Sequence, residues 1–132
     1  MMLEGRWTGK GKGSYGPFSC EMDVEVRGRW LLMRQKITLP IVGITTYVST
    51  QVYGYDDAGL TLDFFDTAGS FKFHGTREGD RLNFHFQDPK VRKVSTYWKD
   101  GNVLRFEYVS IEAQERGEEK KTHFEGHWER HE

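Results

Sequence analysis

Apolar and polar side chains alternate along this chain almost from end to end, and a fold built on helices cannot use that pattern. Phe18, Cys20, Met22, Val24 and Val26 are interleaved with Ser19, Glu21, Asp23 and Glu25. Leu82, Phe84 and Phe86 are interleaved with Asn83, His85 and Gln87, and Leu104, Phe106 and Tyr108 with Arg105 and Glu107. A period of two puts successive side chains on opposite faces of a strand, so each stretch buries one face and wets the other. No stretch carries a helical period. The polar segment from Ile111 to Lys121 reads as a long hairpin loop around Gly117.

Turn residues punctuate the alternation at short, regular spacing. They fall at Gly16-Pro17, Gly28, Pro40 to Gly43, Asp56 to Gly59, Ala68-Gly69, Glu78 to Asp80, Asp88-Pro89, Asp100-Gly101 and Gly117. About ten strands follow from that count, at 2–15, 18–27, 30–39, 44–55, 59–66, 70–77, 81–87, 91–98, 102–111 and 119–131. Connections this short join antiparallel neighbours. A meander of so many strands has to hide its two edges, and closing into a barrel does so. No linker or repeat divides the 132 residues, so the expectation is one all-β, antiparallel, closed or nearly closed barrel over 1–132.

The opening segment Glu4 to Phe18, EGRWTGKGKGSYGPF, raises a separate question. Gly5, Gly9, Gly11 and Gly13 share a phase with Trp7, while Arg6, Thr8, Lys10, Lys12 and Ser14 fill the other. A phosphate-binding loop sets its glycines between a strand and a helix, and no helix pattern follows here. The strand reading puts Trp7 and the glycines on the inner face. Glycines there let a long strand coil and the barrel close; on a second reading, they also remove side-chain volume and leave an internal cavity.

Composition narrows the function classes. A formal net charge of −1 supplies no basic excess for a phosphate backbone, so no nucleic-acid partner is expected. Cys20 is the sole cysteine, so no intrachain disulfide forms, and its apolar phase reads as a small buried hydrophobe. No apolar run reaches the roughly 20 residues of a membrane-spanning helix, and no apolar leader follows Met1 and Met2. The expected setting is a reducing, cytoplasmic compartment.

Gly5-Arg6-Trp7 resembles the Gly-x-Trp that opens the first strand of calycins, the superfamily of lipocalins and fatty-acid-binding proteins. The longer run from Gly5 to Tyr15 is similar to the start of nitrobindin-type haem-binding barrels. Gly28-Arg29-Trp30-Leu31-Leu32, Tyr53-Gly54-Tyr55-Asp56 and Asp66-Thr67-Ala68-Gly69 resemble an uncharacterised bacterial family of lipocalin-like barrels. The closing Trp128-Glu129-Arg130 suits either. Fatty-acid-binding proteins insert a helix-turn-helix after their first strand, and Tyr15 to Phe18 leaves no room for one. The resemblance implies a lipocalin-like barrel in which Arg130, on the last strand, packs over Trp7 and closes the floor. It also implies an alternative role for His123, near the position from which nitrobindin-like barrels ligate haem iron.

The phase of the last strand opposes that alternative. Phe124, Gly126, Trp128 and Arg130 form the apolar phase, so His123, His127 and His131 point outward with Lys121, Glu125 and Glu129. Those histidines and Glu125 share an outer face on which a metal could be held, although solvated side chains satisfy the same pattern. His74 and His85 likewise alternate with phenylalanines and read as exposed. Neither a nucleophile elbow nor a His-Glu-x-x-His motif is present, so no catalytic residue is expected. Asp56 and Asp57 belong to a turn, and Asp63 is a candidate inner polar group.

The inner phases of consecutive strands hold Phe71, Phe73, Phe84, Phe86, Phe106, Tyr108, Phe124 and Trp128. They either fill the barrel or line a pocket for an apolar molecule. The ligand-binding reading takes Trp7, Tyr15, Met22, Gln51, Asp63, Phe71, Phe73, Phe84, Phe86, Phe106, Phe124 and Trp128 as its candidate residues. Tyr15, Gln51 and Asp63 supply its polar contacts. It expects a small apolar partner, no cofactor and no metal, with haem on His123 as the alternative. A filled barrel acting as a structural partner or homodimer, and a small barrel enzyme, are the other readings.

Overall fold

The computed structural model describes residues 4–39, 45–56, 59–66 and 69–131. Ten strands run in chain order: β1 (Gly5–Gly13), β2 (Gly16–Arg27), β3 (Trp30–Leu39), β4 (Thr45–Asp56), β5 (Gly59–Asp66), β6 (Gly69–Glu78), β7 (Arg81–Gln87), β8 (Val91–Asp100), β9 (Val103–Ala113) and β10 (Glu119–His131). Each pairs antiparallel with its neighbour in sequence, and β1 pairs with β10 to close the barrel. This architecture is consistent with a calycin or lipocalin-like fold. The expected strands recur with end shifts of a few residues; β1 is shorter at its end because Ser14 and Tyr15 form the turn into β2. The turn expected at 40–43, the central residues of those at 56–59 and 66–69, and residues 2–3 and 44 of two expected strands lie outside the described residues.

Three hairpins at one end of the barrel use two-residue turns at Gly28-Arg29, Gly79-Asp80 and Gly101-Asn102. Their glycines take φ of +61°, +63° and +64°. Such a first residue matches the right-handed twist of the flanking strands, and only glycine adopts it without strain. We call this end the floor and the opposite end the mouth.

The β1 glycines face β10 at very short range. A Cβ on Gly9 would stand 1.9 Å from the His127 carbonyl oxygen, one on Gly11 2.3 Å from that of Glu125, and one on Gly13 2.2 Å from that of His123. The Trp128, Phe18 and Phe124 rings lie directly over the same glycines. The glycine row therefore serves close strand approach at the seam, and neighbouring rings fill the volume it vacates. Of the two readings of this row, the geometry agrees with barrel closure, since rings stand where the second would leave a cavity.

The middle of the barrel is packed. Trp7, Cys20, Met22, Met33, Phe106 and Trp128 belong to one cluster, and Leu62, Phe73 and Phe84 to a second. Tyr53 and Tyr97 bridge the two. Trp128 stacks on Phe106 with centroids 4.2 Å apart. Burying a side chain of this kind contributes roughly 1.5–3 kcal/mol.

Candidate functional site

The candidate ligand residues do not form one surface. Trp7, Met22, Phe73, Phe84, Phe106 and Trp128 are all buried in the packed middle, where other side chains occupy their contact area. Cys20 is buried beside them, and desolvation pushes its thiol up to about 12, so it stays a neutral hydrophobe as its phase implied. The Trp128 indole N–H makes no regular hydrogen bond among the described residues and has the Cys20 sulfur as its polar neighbour. Asp63 corrects an expectation: it pairs with Val52 and Lys72 in the outward phase that includes Thr61 and Phe65, so it is no inner polar group. Its phase neighbours are no guide: Thr61 is buried on that face, whereas Phe65 is exposed.

Gln51 does face inward, but the protein itself uses its amide. Its Nε2 donates to Gln35 Oε1 at 3.0 Å and approaches Ser49 Oγ at 3.3 Å, while its Oε1 accepts from the Tyr53 hydroxyl. The Tyr53 and Tyr97 hydroxyls are 2.9 Å apart. Burial is the main cause that drives both phenols above their ordinary range, so they remain neutral donors. A buried polar network of this kind is costly unless every member is paired. Gln35, Ser49, Tyr53 and Tyr97 were missed as polar partners. Their signal was polar residues in inward phases: Gln35 between Met33 and Ile37, and Ser49 beside Gln51.

Toward the mouth the inward side chains change character. Phe64, Phe71, Phe86, Tyr108 and Phe124 are half-buried rather than buried. Phe71 meets Phe86 edge-on at 5.2 Å and Phe64 at 6.5 Å. Phe124 touches Phe18, Tyr108 and, at the rim, Tyr15. Among these rings β8 places Lys93 in the inward phase, opposite Phe86 and Ser110. Its ammonium lies 4.4 Å from the Phe71 ring centroid and 5.9 Å from that of Tyr108, and it donates to the Tyr108 hydroxyl at 3.2 Å. No ion pair among the described residues includes Lys93. On β4 and β5 the Tyr47 hydroxyl donates to Asp66. Burial first, and then that bond, raise the Tyr47 phenol above its ordinary range.

His123 lies on the outer wall, with its Nε2 3.3 Å from Glu107 Oε2, and faces away from the lumen. Arg130 stands opposite Trp7 in the β1–β10 register, and its guanidinium donates to the Glu4 carbonyl. Two depressions of about 380 and 480 Å³ flank Lys10 on the outside of the barrel. Their lining is outward side chains and strand backbone, so they open to solvent rather than to the lumen. The motif residues Trp30 and Gly54 meet near the floor on the outer wall. A Cβ on Gly54 would fall 2.1 Å from Trp30 Cζ3, and Arg29 lies over both the Trp30 and the Tyr55 rings. Val48 and Phe65 are exposed on the same wall. No family model matches this chain, and no curated protein matches it.

Proposed function

We propose that the chain binds, without covalent chemistry, a small and mostly apolar molecule that carries one anionic group, at the mouth of its barrel. The observation that carries this reading is Lys93. An ammonium held among Phe71, Phe86 and Tyr108, with no carboxylate among the described residues paired to it, is arranged to receive an acid whose apolar body rests on the rings. Phe71, Phe86, Phe124 and Tyr15 are the expected ligand residues that belong to this mouth. The packed middle sets the depth: the apolar body stops above the Tyr53–Tyr97 bridge. The closed antiparallel barrel is compatible with a ligand-binding, calycin-like protein. The haem alternative gains nothing from the geometry, because His123 is turned to solvent.

Two fluorescent naphthalene probes test the reading, one bearing a sulfonate (anilinonaphthalene sulfonate) and one neutral (N-phenylnaphthylamine). The anionic probe is expected to saturate at one site. Lys93→Met should weaken it roughly tenfold, the loss of a charge-assisted contact of about 1.5 kcal/mol, and leave the neutral probe nearly unchanged. Phe71→Ala should weaken both. Equal binding of the anionic probe by wild type and Lys93→Met would overturn the proposal.

A further inference from the structure

The outer wall carries a second constellation that owes nothing to the lumen. Glu107 on β9 and Glu125 on β10 are direct cross-strand partners, and His123 sits diagonally beside them. Like charges directly opposite one another on a sheet repel. Here each carboxylate leans on a different cationic or polar neighbour: Glu107 on His123 at 3.3 Å, and Glu125 on Lys12 Nζ at 3.7 Å. One donor atom from each of Glu107, His123 and Glu125 falls within 4.8 Å of the other two.

We propose that Glu107, His123 and Glu125 form a binding site for a divalent transition-metal ion of the zinc type, across β9 and β10. Donors about 2.0–2.1 Å from a tetrahedral ion stand roughly 3.4 Å apart. The Glu107–His123 pair already has that spacing, and Glu125 reaches it by turning a side chain. The backbone beneath is fixed. The β9–β10 ladder sets the glutamates, and Ser14 clamps His123 by accepting from its N–H at 2.9 Å and donating its own N–H to its carbonyl at 2.8 Å. One imidazole with two carboxylates is a borderline donor set that suits zinc. Magnesium and calcium call for all-oxygen shells. A dication would also remove the repulsion between the two glutamates and release Lys12 to solvent. The sequence places His127 on this strand face as well, but its imidazole turns toward Glu129 at 3.9 Å and is not among the three donors that converge. His123 and Glu125 come from β10, and Glu107 is brought to them from β9 by the register.

Chelator-treated full-length protein titrated with zinc, by calorimetry and native mass spectrometry, provides the test. One zinc per chain with micromolar affinity is expected. Glu107→Gln, Glu125→Gln and His123→Ala should each weaken it at least tenfold, whereas His127→Ala leaves it unchanged; a far-ultraviolet spectrum checks that each variant keeps its sheet. The same titration with magnesium should give no saturation. Two results would overturn the site. One is no stoichiometric zinc on the folded wild type. The other is zinc that survives Glu107→Gln and is lost in His127→Ala, which marks an adventitious ion on the last strand's histidines only.

Discussion

Replacing Gly9 by alanine tests the seam directly. The new Cβ would stand 1.9 Å from the His127 carbonyl oxygen and 2.7 Å from Trp128 Cδ1. The first contact is more than an ångström closer than real Cβ atoms come, and the atom it meets is backbone, so no side-chain rotation relieves it. β1 has to move away from β10, and the ladder bonds beside Gly9 stretch. Overpacking alone costs roughly 1–3 kcal/mol, and two weakened ladder bonds add about 1 kcal/mol each. The expected loss is therefore about 3–5 kcal/mol, a large share of the 5–15 kcal/mol that holds a typical domain. The melting temperature should fall by roughly 10–15 °C for a chain of this size. Urea unfolding followed by tryptophan fluorescence reads the effect well, because Trp7 and Trp128 are buried. Thr8→Ala, next door on the outer phase, is the control and should stay within about 0.5 kcal/mol of wild type. If Gly9→Ala were as stable as that control, the close approach would be wrong and the glycine row would need another purpose.

Alkaline pH should unfold the barrel early. Tyr53 and Tyr97 keep their protons in the fold beyond the pH at which the unfolded chain releases them, so the native state binds more protons there. Stability is then level through neutral pH and falls as pH rises past about 10, by roughly 1.4 kcal/mol per unit for each phenol. Tyr53→Phe should flatten that fall by one phenol's share in urea titrations at pH 9 to 11; an unchanged slope would count against it. Gln51→Leu removes both ends of the amide that ties Gln35 to Tyr53, and should cost about 2–3 kcal/mol by leaving buried partners unpaired. Adding Gln35→Leu to it should cost less than the two single changes together, and simple additivity in that cycle would show the network to be energetically idle.

The strands were legible because one-face burial writes itself into the chain as a period of two, and glycine marks where the chain must turn. Closure was legible for a second reason: a meander of so many strands has two edges to hide, and joining them removes both. The site was far less visible. Lys93 looks like any solvated lysine until the register sets it opposite Phe86 and Ser110 and turns it into the lumen. Glu107 has no reason to be linked with His123 until β9 and β10 are aligned, since pairing between strands leaves no trace in the spacing along one of them. The aromatic residues were read as one lining, yet depth along the barrel divides them into a buried middle and a half-buried mouth. Alternation reports which face a residue is on, and says nothing of how deep it lies.

The seam between β1 and β10 also sets a timetable. These strands are the first and last of the barrel, so during synthesis on the ribosome the ring cannot close until β10 has emerged. Up to that moment β1 and β9 each present an unpaired edge, the arrangement most open to joining another chain. Every other pairing is between sequence neighbours and can form as the chain grows. A newly made chain is therefore most exposed to aggregation in the interval just before its last strand is released, and it is the glycine-lined edge of β1 that a chaperone would have to shield.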